Sequence, residues 1–136
     1  MSRPTRTARC LGLALAANQF VGTVVALRYS VPGRPLGVRF WWGRRAEVVF
    51  WGTGISAPLV MAAALGVGAA SPSEEWARRI LRLLGASIVV GQLVEPVNWE
   101  RHVPGAVRAV AVGNLVLAPT LVAATSPKSA ERGSPA

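Results

Sequence analysis

Four uncharged, mostly apolar runs, 10–27, 48–73, 83–94 and 109–127, take up 75 of the 136 residues, and almost every charge falls between them. A helix crosses about 30 Å of hydrocarbon with about 20 mostly apolar residues. The first, second and fourth runs approach or exceed that length. The third is shorter and ends on Glu95. A soluble helix bundle would need a polar face on each helix at a period of 3.6. Residues 48–73 offer only the hydroxyls of Thr53, Ser56, Ser71 and Ser73, so this run is apolar on every side.

The pattern predicts an all-α integral membrane protein. A single domain over 1–125 is expected, with four transmembrane helices in a compact up-down bundle. Their spans are about 10–28, 47–70, 77–96 and 105–125, and an interfacial Arg/Trp loop joins helices 1 and 2. Residues 126–136 (SPKSAERGSPA) have no apolar face and are expected to be a disordered tail. Arg3, Arg6 and Arg9 precede an apolar segment with a cleavage-like Ala14-Leu15-Ala16, as in a signal peptide. Phe20 to Leu27 continue apolar, which favours a retained first span.

Composition agrees. The chain is 51% hydrophobic and 15% charged, against about 25% charged in soluble domains. Its net charge of +9 would suggest nucleic acid if the basic residues formed one face. They instead flank the apolar runs, where Lys and Arg hold orientation and meet anionic lipid headgroups. Nucleic acid is therefore excluded as a partner, and the bilayer with its anionic headgroups takes its place. Fourteen of the fifteen basic residues are Arg, and Ala, Gly and Val are abundant. This suits a GC-rich genome and a multi-pass protein of a bacterial plasma membrane.

The loop between the first two spans holds Pro32, Gly33 and Pro35, which forbid a continuous helix. Arg39, Trp41, Trp42, Arg44 and Arg45 follow, and Trp51 begins the next run. Aromatics beside Arg suit the headgroup level, so these six residues are assigned to the lipid interface. Small residues four apart in the second span, Gly52 with Ser56, Ala62 with Gly66 and Ala64 with Gly68, are expected to let helices approach closely. Ser73 is the expected N-cap of the third helix. Eight basic residues lie on the N-terminal side of the spans and seven on the other. The positive-inside rule leaves orientation open, and dual insertion with it.

Glu95 is the sharpest chemical feature, because an ionisable group within a span usually has a partner or a task. Pro96 disfavours helical geometry at Glu95 and removes an amide from the helix. Glu95 is thus expected to be neutral or tied to a cation, with Arg101, His102 and Arg108 as candidate partners. Gly85, Ile88, Gln92 and Glu95 share one helix face. Asn18, Gln19 and Asn114 could meet that face across the bundle, giving a polar pocket or proton site formed with Gln92 and Glu95. The simpler reading makes these amides interhelical ties and Glu95 a marker of the water interface. One Cys and one His cannot build a zinc site. No phosphate loop or metalloprotease motif is present, so no catalytic residue, metal or cofactor is expected.

In size and four-span layout the chain resembles the small multidrug resistance transporters. That resemblance implies an essential membrane glutamate, a dimer and sometimes dual insertion. The family's glutamate lies in the first span, where this chain carries Asn18 and Gln19, so no residue role is carried over. Three functions follow in order. An accessory or structural membrane component, alone, as a homodimer or with another membrane protein, leads. A proton-coupled small-molecule transporter using Glu95, dimeric because four thin helices enclose little space, is the alternative. A membrane enzyme on a lipid or quinone substrate comes last.

Overall fold

A computed structural model describes residues 1–38 and 43–127. The fold is all-helical, with no strand among the described residues. Helix α1 spans Arg3–Tyr29, a single turn α2 spans Arg44–Ala46, and α3, α4 and α5 span Leu59–Ala70, Glu75–Val94 and Gly105–Ala124. Arg39, Trp41 and Trp42, assigned above to the lipid interface, lie outside the described residues, as does the tail from 128 onward.

Helix α1 begins two turns earlier than the apolar run. The Ser2 hydroxyl accepts the Thr5 amide at 3.4 Å, and Pro4 in the first turn sacrifices no helical bond. It ends at Ser30, whose left-handed backbone (φ 53°) closes the last turn onto the Ala26 carbonyl. Helix α4 stops at Val94 because the residue before a proline is pushed out of the α region, and Glu95 is extended (φ −82°, ψ 121°). Its start differs from expectation. The Ser71 to Glu74 turn, closed by the Glu74 amide on the Ser71 carbonyl, moves the N-cap from Ser73 to Glu74.

The predicted second span is not one helix. A π-helical turn covers Glu47–Trp51, residues 52–58 are unwound and buried or half-buried, and only α3 is a regular helix. Three local features break it. Gly52 adopts φ 93°, and a Cβ there would lie 2.7 Å from the Ser56 carbonyl oxygen. The Thr53 hydroxyl accepts the amides of Ile55 and Ser56, competing with helical bonds. Pro58 lacks an amide and holds Ala57 out of the α region.

Helices α1, α3, α4 and α5 pack in that cyclic order, each neighbour antiparallel to the last, so α1 and α4 face each other on the diagonal. Leu15, Leu65, Leu81, Ile88 and Leu121 form one core between them, and Ala26, Ile55, Val107, Val110 and Ala111 form a second near the unwound segment. One member of each small-residue pair predicted in α3, Ala62 and Gly68, is buried. Gly68 packs on Leu81 and Ala69 on Gly12, while Gly66 faces open space. The buried stripe of α3 is Ala62, Leu65, Gly68 and Ala69, which follows the helical period.

Two helices, α1 and α5, are long and apolar enough to cross a membrane by length and composition. Helix α4 has the length, but Arg78, Arg79 and Arg82 occupy its first half. The outer surface of all four helices carries large apolar side chains, among them Phe20 and Val24 on α1, Val67 on α3, Val90 on α4 and Val116 on α5.

Candidate functional site

The buried polar groups separate into two sets. In the first, three amides from α1 and α5 hold the unwound segment. Gln19 and Asn114 are fully buried. The Asn114 side-chain oxygen accepts from both Gln19 and Asn18, each at 2.7 Å, and its nitrogen donates to the Ile55 carbonyl at 2.7 Å. The Gln19 oxygen accepts the Ala57 amide at 2.8 Å, and Asn18 also reaches the Val110 carbonyl. Thr23 extends the chain of contacts through Ser56 to Thr53.

Breaking a helix frees backbone donors and acceptors that must find partners when buried. The side chains of Gln19, Asn114 and Thr53 supply those partners. Gln19 and Asn114 therefore act as interhelical ties that also hold irregular backbone inside the bundle, and Asn18 ties α1 to α5 at Asn114 and the Val110 carbonyl.

The second set lies at the end of the bundle where α1 and α4 terminate. Glu95, 6% exposed, accepts the Arg34 amide with both carboxylate oxygens at 3.0 Å. Glu47 accepts the neighbouring Gly33 amide, also at 3.0 Å, and the Trp51 indole donates to the Gly33 carbonyl at 3.2 Å. The segment from Val31 to Pro35 is thus a strap, clamped by two carboxylates on adjacent amides. The Gly54 amide on the Val31 carbonyl and a bridge between Pro32 and Thr53 fasten its other edge.

Glu95 is bound to backbone, and none of Arg101, His102 and Arg108 pairs with it. Arg108 donates to the carbonyls of Asn98 and Glu100. Arg101 and His102 are exposed, although His102 borders a cavity of about 460 Å³ that Glu95 also lines. The helix stops at Val94 and the chain turns through a 3₁₀ segment, Pro96–Trp99, so Trp99 and His102 do not continue the Gln92 face. Gly85, Ile88, Gln92 and Glu95 do share a buried face.

Nor do the predicted pocket residues meet in one place. Gln92 and Glu95 line a cavity of about 210 Å³ between α4 and the unwound segment. Asn18, Gln19 and Asn114 are not among its walls: Gln19 and Asn114 are used on the backbone at 57 and 55, and Asn18 on the Val110 carbonyl and the Asn114 oxygen. Ser56 and Thr53, which line the cavity, link the two sets. Of the other interface assignments, Arg45 is exposed, Arg44 donates to the Leu27 carbonyl at the end of α1, and Trp51 is half-buried against the strap.

Several roles have no signature in the sequence. Glu47 and Arg34 lie on either side of a long loop, and nothing in their spacing marks them as neighbours of one strap. The basic residues at the opposite end act as helix caps: Arg9 donates to the Ala69 and Ala70 carbonyls, and Arg82 to the Thr125 carbonyl. A guanidinium at a helix C-terminus satisfies orphan carbonyls and meets the negative dipole end.

Comparison with protein families, with curated proteins and with solved structures finds no match for this chain.

Proposed function

We propose that the chain is a small multi-pass membrane protein with an accessory or structural role, crossing the bilayer four times with its second crossing discontinuous. One observation carries this reading: the polarity of the helical assembly is inverted. Gln19 and Asn114 are fully buried, while Val24 is 66% exposed and Leu83 is 65% exposed. Water would penalise such a surface, whereas lipid tails match it. The unwound segment at 52–58 fits the same setting, since irregular backbone at membrane depth is tolerated where protein covers it.

Cysteines at 34, 74 and 101 in a Cys10→Ser background test the topology with a membrane-impermeant thiol reagent. In singly oriented protein, 34 and 101 label from one side and 74 from the other. Labelling of all three from one side in that material contradicts four crossings. Dual insertion gives partial labelling at every site from each side.

A second reading, proton-coupled exchange of a small molecule at Glu95, is favoured by the buried position of its carboxylate on a cavity. Glu95→Gln in proteoliposomes then abolishes proton-coupled flux while leaving the fold intact. Unchanged flux removes that reading.

A further inference from the structure

Where α1 terminates, a cavity of about 350 Å³ has three charged residues on its walls, Arg34, Arg44 and Glu47. Hydrogen bonds place two of the charged groups there. The Arg44 guanidinium donates to the carbonyl of Leu27, itself a wall residue, and the Glu47 carboxylate accepts the Gly33 amide of the strap. The Arg34 amide is held by Glu95, which leaves its guanidinium without a hydrogen bond among the described residues. None of the three pairs with another, since the sole ion pair among the described residues, Glu75 with Arg79, lies at the opposite end of the bundle. Charges of both signs thus meet one cavity without cancelling.

Each sign asks for a different part of a ligand. Two guanidinium groups suit a phosphate, whose oxygens match their planar forks. Glu47 is half-buried and only its Oε1 accepts a bond, at 3.0 Å, so its second oxygen lacks a donor among the described residues. A charged N–H donor would fill that position. The neighbouring cavities differ: that of about 460 Å³ sets Glu95 and Glu100 beside Arg34 and His102, and that of about 210 Å³ has Glu95 alone. Two arginines with one acid occur only at the first of these three.

The outer face of α1 adds an apolar part. Phe20, Val24 and Leu27 lie four and three residues apart, share one helix face and are all exposed. Leu27 also walls the cavity, so the stripe runs for about 10 Å along the helix up to it, at about 1.5 Å per residue. Size agrees as well. An apolar cavity of about 150 Å³ holds the six heavy atoms of benzene, so the eight of a phosphoethanolamine group need about 200 Å³.

We propose that this cavity binds the phosphoethanolamine headgroup of a membrane lipid. The phosphate lies on Arg34 and Arg44, the primary ammonium on Glu47, and an acyl chain along Phe20, Val24 and Leu27. The proposal goes beyond the accessory role by naming a lipid and its site, and it rests on the membrane reading for the presence of that lipid. Its test is binding in detergent, whereas that reading is tested by topology, so each can fail alone.

The test is native mass spectrometry of the detergent-purified chain titrated with dimyristoyl phosphatidylethanolamine, phosphatidylglycerol and phosphatidylcholine. Phosphatidylglycerol has no ammonium, and the phosphatidylcholine cation has no N–H. Phosphatidylethanolamine is expected to bind about tenfold or more tighter than either, because it alone brings a charged donor to Glu47. Glu47→Gln keeps an oxygen for the Gly33 amide but loses the charge, and should erase that preference by weakening phosphatidylethanolamine alone. Arg34→Gln leaves the Arg34 amide on Glu95 and should weaken all three lipids together. Free phosphoethanolamine, which has the head without the chain, should not displace the lipid at equimolar concentration; displacement there overturns the lipid as the source. Equal binding of the three lipids, tighter binding of phosphatidylglycerol, an unchanged preference in Glu47→Gln, or unchanged binding in Arg34→Gln overturns the proposal. If Glu47→Gln does not fold, Arg34→Gln, which keeps every hydrogen bond of the strap, decides it alone.

Discussion

The side-chain nitrogen of Gln19 on α1 donates to the side-chain oxygen of Asn114 on α5 at 2.7 Å, at the depth where the chain between 52 and 58 is unwound. Each amide then turns its other end to that segment, Gln19 accepting from Ala57 and Asn114 donating to Ile55. The pair thus joins three parts of the chain, and its loss exposes backbone groups rather than merely a side-chain contact.

Asn114→Leu should be strongly destabilising. Interhelical hydrogen bonds in lipid average about 0.6 kcal/mol when both partners can find substitutes. The Ile55 carbonyl lies in non-helical backbone and has no such substitute, so each orphaned group costs about 1–3 kcal/mol. Unfolding in mixed micelles by denaturant titration should show a loss at or above the upper figure, since Gln19 and Asn18 lose their acceptor as well. A loss below about 1 kcal/mol would mean that water or another group serves the unwound segment.

Two glycine substitutions should behave oppositely. A Cβ on Gly113 would lie 3.0 Å from the Asn18 side-chain nitrogen, so Gly113→Ala presses directly on the amide network. Overpacking of this kind costs about 1–3 kcal/mol. Gly66 in α3 meets nothing within 4 Å, and Gly66→Ala should be neutral or stabilising by up to about 1 kcal/mol through helix propensity. Thermal midpoints of the two variants in one detergent compare them directly. Equal shifts would show that α1 and α5 are not held in this register.

The strap at Val31 to Pro35 gives a local prediction. Glu47→Gln keeps an oxygen to accept the Gly33 amide, whereas Glu47→Leu removes it. Hydrogen exchange at Gly33 should therefore accelerate in Glu47→Leu and remain close to wild type in Glu47→Gln. Exchange unaffected by either change would show that the Trp51 indole and the bridge to Thr53 hold the strap alone.

The helical character was legible because the apolar runs are long and uncharged, and Pro96 marked the end of α4 correctly through its effect on the preceding residue. The break in the second run was legible in part. Gly52, Thr53 and Pro58 each signal it locally, but the unbroken hydropathy of 48–73 outweighed them when the run was read as one span. Glu95 was recognised as a group needing a partner, yet its partner is a backbone amide 61 positions away. Backbone amides carry no sequence signature, so a search among Arg101, His102 and Arg108 could not find it. The same limit hid Arg9 and Arg82, whose partners are helix-terminal carbonyls. Asn18, Gln19 and Asn114 meet one another but do not line the cavity with Gln92 and Glu95, because helical faces do not reveal which polar atoms an unwound segment will claim.

On the proposed function, the exposed apolar faces meet lipid while the amides lie inside. Nitroxide labels at Val24, Val90 and Val116, which are 66%, 60% and 58% exposed, test it most directly in a reconstituted bilayer. Collision with dissolved oxygen should exceed collision with a polar nickel complex at all three positions, and the order should reverse at Arg34 and Glu74. Preferential collision with the nickel complex at Val24, Val90 and Val116 would contradict the account.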